Sequence, residues 1–144
     1  MDHGIATTLD LPFAEAVEQV RAALAEQGFG VLTEIDVRAT LRAKLDEEIE
    51  DYLILGACNP PLAHRALAAD RHIGLLLPCN VVVRAVDGGT LVEAMDPQLL
   101  VRATGKPELA PVADEAAARL RAALDSLARE RTTTRPTTVD GDTR

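Results

Sequence analysis

Apolar residues recur along this chain with two alternating periods, and each change of period marks a new element. Residues 4–9 read as a first strand. Pro12 then opens a helix where a missing N–H costs nothing, and Phe13, Val17, Val20 and Leu24 fall at helical spacing to form its buried stripe. Gly28 supplies the left-handed stop. From Phe29 to Ile35 the period drops to two, with Phe29, Val31, Thr33 and Ile35 on one face, which predicts a half-buried strand. Asp36 is placed to cap a second helix carrying Val37, Leu41 and Leu45 at spacing four.

An acidic run follows, with Asp46, Glu47, Glu48, Glu50 and Asp51. It lacks the alternating ligands and central glycine of a calcium loop, so a solvated loop is expected. Tyr52 to Ala57 is continuously apolar and predicts a central strand. Asn59 caps the next helix, which has Pro60 at its first position and runs to about Asp70. Cys79 to Val86 is a further apolar strand, Asp87-Gly88-Gly89 a hairpin turn, and Leu91 to Met95 the return strand, ended by Asp96-Pro97. A last helix is expected from about Glu108 to Ala128, with Val112, Ala116, Leu120, Leu124 and Leu127 as its stripe. The pattern stops at Arg129, and the Thr-rich segment 129–144 is expected to be a disordered tail. The count is about five strands and four helices. It predicts a single α+β domain over residues 1–128 with a mixed, mostly antiparallel sheet.

Composition narrows the function classes. Hydrophobic residues make up 47 % of the chain, enough for one core in 144 residues, but aromatics only 2 %, so packing rests on aliphatic side chains. Scarce rings and a net charge of −8 both argue against a nucleic-acid surface and against anionic membranes. No apolar run is long enough to span a bilayer, and Met1-Asp2-His3-Gly4 has none of the character of a signal peptide. A cytoplasmic, non-membrane protein with reduced cysteines is expected. The preference for Arg over Lys and the abundance of Ala point to a GC-rich bacterial genome. A phosphate-binding glycine loop, a paired-histidine metalloprotease motif and a nucleophile elbow are all absent.

The candidate chemistry gathers at two Cys-Asn pairs, Cys58-Asn59 and Cys79-Asn80, which contain the only cysteines. Cys58 lies just before a helix N-terminus, where free N–H groups and the helix dipole favour a thiolate. Cys79 begins a strand. If the two strands are antiparallel neighbours the sulfurs share one end of the sheet; a parallel crossover separates them. The spacing is not a zinc signature, but two thiolates suit a soft ion such as Cu(I). His64, one turn into the helix, and Met95 are further candidate ligands; solvation and core packing are their plain alternatives. Asn59 and Asn80 would orient a ligand, or simply cap a helix and form a turn. Asp36 would serve as a base only if capping did not already explain it.

Gly56-Ala57-Cys58-Asn59-Pro60, Gly74-Leu75-Leu76-Leu77-Pro78-Cys79-Asn80-Val81-Val82-Val83 and the later Asp96-Pro97 resemble the domain of unknown function 302 family. The resemblance covers roughly residues 4–128. It implies a small α+β domain, often a homodimer, and brings no firm reaction. One branch of that family carries Asp-His after its second strand. Here the position is Asp36-Val37, and the chain is closer to the branch with cysteine in both later motifs.

Three functions fit these residues. The first is a homodimeric module that binds a small ligand or soft metal at Cys58 and Cys79. The second is a thiol-dependent redox or sulfur-transfer enzyme. The third is a structural or partner-binding domain whose cysteines only pack.

Overall fold

The computed structural model describes residues 4–142, with side chains through residue 128. Five strands form one sheet in the order β1-β5-β4-β3-β2: β1 (Gly4–Leu9), β2 (Gly30–Asp36), β3 (Tyr52–Cys58), β4 (Cys79–Val86) and β5 (Gly89–Met95). Five α-helices accompany them, α1 (Phe13–Glu26), α2 (Val37–Leu45), α3 (Pro60–Ala69), α4 (Gln98–Thr104) and α5 (Ala110–Asp142), with short 3-10 helices at Arg71–Leu76 and Pro107–Leu109. The expected disordered tail at 129–144 lies outside the residues whose side chains are described.

The α+β class and the five strands are as the sequence predicts, with one refinement. Every strand pair is antiparallel, so no part of the sheet is mixed. The N-terminal strand closes the far edge by pairing with β5, Gly4 against Met95 and Leu9 against Thr90. The β4–β5 hairpin turns on Asp87 and Gly88 between the partners Val86 and Gly89, and Gly88 supplies a φ of +84°. Helix α4 is the element missing from the sequence reading. It is too short for a period to show, and it starts where the Asp96 carboxylate accepts the Gln98 N–H at 3.0 Å.

Alternation along β3 and β4 sends Leu53, Leu55 and Ala57, with Val81 and Val83, to one face. Helix α1 and the later part of α5 cover that face with Val20, Leu24, Leu120 and Leu124, which makes the main core. A second, smaller core joins α3, α4 and the start of α5 through Leu62, Ala66, Leu100, Leu109 and Val112. The main core extends along the sheet, and the second sits beyond the end where β3 stops and β4 begins.

Edge strand β2 departs from the half-buried alternation expected of it. A register shift between Val31 and Thr33 breaks the period, and Leu32 and Ile35 stand 69 % and 50 % exposed. Helix α2 is capped as expected, the Asp36 carboxylate accepting the Ala39 N–H at 2.9 Å, yet none of its residues is buried. The acidic run is an irregular exposed segment. Asp51 and Glu48 pair with Arg38, Glu48 also with Arg42, and Glu50 with Arg84, at 2.9–3.6 Å. Exposed pairs of this kind contribute up to about 1 kcal/mol each.

Candidate functional site

The register of β3 and β4 settles where the two cysteines go. Ala57 of β3 stands opposite Cys79 of β4, so Cys58, one residue on, ends its strand where Cys79 begins the next. The antiparallel alternative read from the sequence is the one the protein adopts. Both cysteines line one cavity of about 250 Å³ at the seam between the two cores.

Each wall follows from local sequence. Helix α3 presents Leu62, Ala63 and Ala66 from one face, and α5 presents Val112 and Ala116, one turn apart. Leu100 of α4 also lines it. Leu77 and Pro78 lead into β4, and Phe29, Leu32 and Thr33 come from the start of β2, Leu32 being exposed at the rim. The alanines make the space: Ala63, Ala66 and Ala116 have no atoms beyond Cβ to fill it. The lining holds no Lys, Arg, His, Asp or Glu.

Asn59 is buried and hydrogen-bonded through both atoms of its amide. Its Oδ1 accepts the Leu62 N–H at 3.3 Å, capping α3, and its Nδ2 donates to the Gln27 carbonyl at 3.3 Å. Arg119 of α5 donates to the same carbonyl at 3.3 Å. Gly28 allows this approach. Its φ is +86°, and a Cβ there would lie 3.0 Å from Asn59 Nδ2. One carbonyl thus ties the end of α1 to the starts of α3 and the mid-part of α5. Of the two readings of Asn59, the helix cap is present, and the residue also lines the cavity.

The N-terminus of α3 also differs from expectation. Pro60 and Pro61 carry no N–H, the Leu62 N–H is taken by Asn59 Oδ1, and the Ala63 N–H bonds to the Asn59 carbonyl at 2.9 Å. Three of the four N–H groups that a helix start would offer an anion beside Cys58 are therefore missing or taken. Cys79 is buried, and burial, with the neighbouring Cys58, pushes its thiol up to about 11. It is a neutral S–H at physiological pH.

The other candidates fall elsewhere. His64 lies on the exposed side of α3 and Asn80 is exposed; neither lines the cavity. Met95 is half-buried at the end of β5, also outside the lining, and Asp36 is occupied as a cap. Among the described residues no group of three or more His, Cys, Asp or Glu is arranged to hold a metal ion, so an ion at the cysteines would have only two sulfurs from this chain. No described helix is long and apolar enough to cross a membrane. The residues that sequence reasoning missed are the small and apolar ones. Ala63, Ala66, Leu100 and Ala116 carry no chemical signal, and only the fold shows that they surround a space.

The family model described as domain of unknown function DUF302 matches residues 5–127. A solved structure, that of an uncharacterized conserved DUF302 protein from Bacillus stearothermophilus, superposes with a TM-score of 0.81 at 30 % identity, covering 87 % of this chain and 98 % of that one. No curated protein is significantly similar to the chain.

Proposed function

We propose, from the premise that this chain belongs to the DUF302 family, that it is a small-ligand-binding domain whose site is the cavity walled by Cys58 and Cys79. The observation that carries the reading is the cavity itself: about 250 Å³ of apolar space, between two packed cores, with two thiols on its wall. Interiors normally leave few voids larger than a water molecule. Concave apolar sites with a few polar atoms are the usual form of a small-molecule site. Cytoplasmic residence fits, because it keeps both thiols reduced. Native mass spectrometry on protein isolated under reductant tests the reading. A bound organic mass in the wild type, lost in Ala66→Phe, is the expected result.

The same two thiols support a rival, a two-coordinate soft ion such as Cu(I). A coordinating metal displaces the thiol proton itself, and what favours the organic ligand is the lining, which adds apolar side chains and no His, Met, Asp or Glu to the two cysteines. A thiol-dependent enzyme needs an activating base beside the sulfur, and the lining offers none.

Homodimerisation is supported by a separate observation, the open edge of β2 with Leu32 and Ile35 exposed. An uncovered apolar edge strand is a template for pairing. A second copy, adding its own β2, would continue the sheet beside the rim of the cavity.

A further inference from the structure

The cavity has a charge preference as well as a size. We infer that its ligand is an uncharged, mainly apolar organic molecule, and that the site rejects the same skeleton once it carries an anionic group. This rests on the cavity being a binding site.

Three observations converge on it. No ionisable side chain other than the two cysteines lines the space, so nothing there neutralises an ionic ligand. The helix terminus that abuts it, normally an anion-binding feature, is largely blocked. Two prolines remove two N–H groups and the Asn59 side chain takes the Leu62 N–H, while the Ala63 N–H is held in the first regular bond of the helix. The Asn59 amide donates to the Gln27 carbonyl, and the Thr33 hydroxyl is the other strong side-chain donor in the wall. An anion entering would shed its hydration for a hydroxyl's hydrogen bond and no countercharge. An uncharged molecule loses little water and gains contact with Leu62, Val112 and Leu100. The buried Cys79 suits such a ligand, since a neutral S–H is a weak donor on a polarizable atom.

The test uses two fluorescent probes with one ring skeleton, N-phenyl-1-naphthylamine and its sulfonate, 1-anilinonaphthalene-8-sulfonate, titrated into the full chain. Both titrations are run near 1 M salt, where the Debye length falls to about 3 Å and the net charge of −8 no longer acts at a distance. Ala66→Phe fills the cavity, and Ala63→Leu, at a half-buried position, is the milder filler should the first fail to fold. The expected result is saturable one-to-one binding of the neutral probe, at least tenfold tighter than the sulfonate, and lost in either variant. A preference below tenfold, with binding still lost on filling, overturns the inference and leaves the binding site standing. Failure of the neutral probe to bind, or binding that both folded variants retain, overturns the binding site and the inference together.

Discussion

Ala57 and Cys79 are partners across the β3–β4 ladder, and that pairing sets the last residue of β3, Cys58, beside the first residue of β4, Cys79, so that both cysteines line one cavity. A slip of one residue would turn Cys79 to the opposite face of the sheet. The register is held by the apolar alternation of Leu53, Leu55 and Ala57 against Val81 and Val83, all buried on the helix side. Core packing thus fixes the geometry of the site.

Gly56 is where β3 must stay bare. A Cβ at this position would collide with the Thr33 hydroxyl and lie 2.8 Å from Cγ of Pro78, both in the cavity wall. Gly56→Ala should cost about 1–3 kcal/mol, the range of overpacking in a tight site. Adding Thr33→Ala should return part of that loss, because the Pro78 contact persists. Urea denaturation of the two single variants and the double variant reads the coupling; strict additivity would contradict it.

Asn59 holds the cavity by its two hydrogen bonds and not by touching a ligand. Asn59→Ala removes the α3 cap and the donor to Gln27, and should destabilise the fold by about 2 kcal/mol. Asn59→Asp restores the capping oxygen alone and should fall between. Equal stability of the alanine variant and the wild type in chemical denaturation would refute this role.

Cys79 makes stability depend on alkaline pH. Its thiol titrates near 11 in the folded chain, raised by burial and by Cys58, against about 9 when unfolded. Between those values the unfolded state has lost the proton and the folded state keeps it. Stability should therefore be undiminished below about pH 9 and fall as pH rises toward 11, by at most about 3 kcal/mol. Denaturation across pH 8–11 should show this fall in the wild type and a shallower one in Cys79→Ala. At pH 8 only about one Cys79 in a thousand is thiolate, so iodoacetamide should modify Cys58 well before it. Equal labelling rates would contradict the asymmetry.

The β2 edge predicts the oligomeric state. Light scattering on an eluting peak should give twice the 15.4 kDa of one chain. Leu32→Lys combined with Ile35→Lys should yield a folded monomer with an unchanged circular dichroism spectrum. Both side chains are already exposed, so the folded subunit loses little. A wild-type monomer at tens of micromolar protein would rule the interface out.

The elements with strong local signals were legible in the sequence. The stripe of α1, the Asn59-Pro60 start of α3 and the Asp87-Gly88 turn each rest on residues that act over a few positions, and each holds in the fold. What was hidden depends on contacts between distant segments. The Asn59 amide finds Gln27, which is 32 residues away, and Arg119 reaches the same carbonyl from α5. Neither pairing has a local pattern. The cysteines were legible as a pair, but whether they met depended on strand direction, which the connection from Asn59 to Pro78 leaves open. His64 and Asn80 drew attention because their types carry chemistry, yet both are exposed. The alanines that define the space drew none. A cavity is an absence of atoms, and no residue type encodes it.

The most direct measurement is difference density from a crystal of the reduced protein soaked with N-phenyl-1-naphthylamine. The account predicts the ring system between α3 and α5, against Leu62, Ala66 and Val112 and beside Cys58 and Cys79. An empty cavity at saturating probe, or density only on the outer surface, would contradict it.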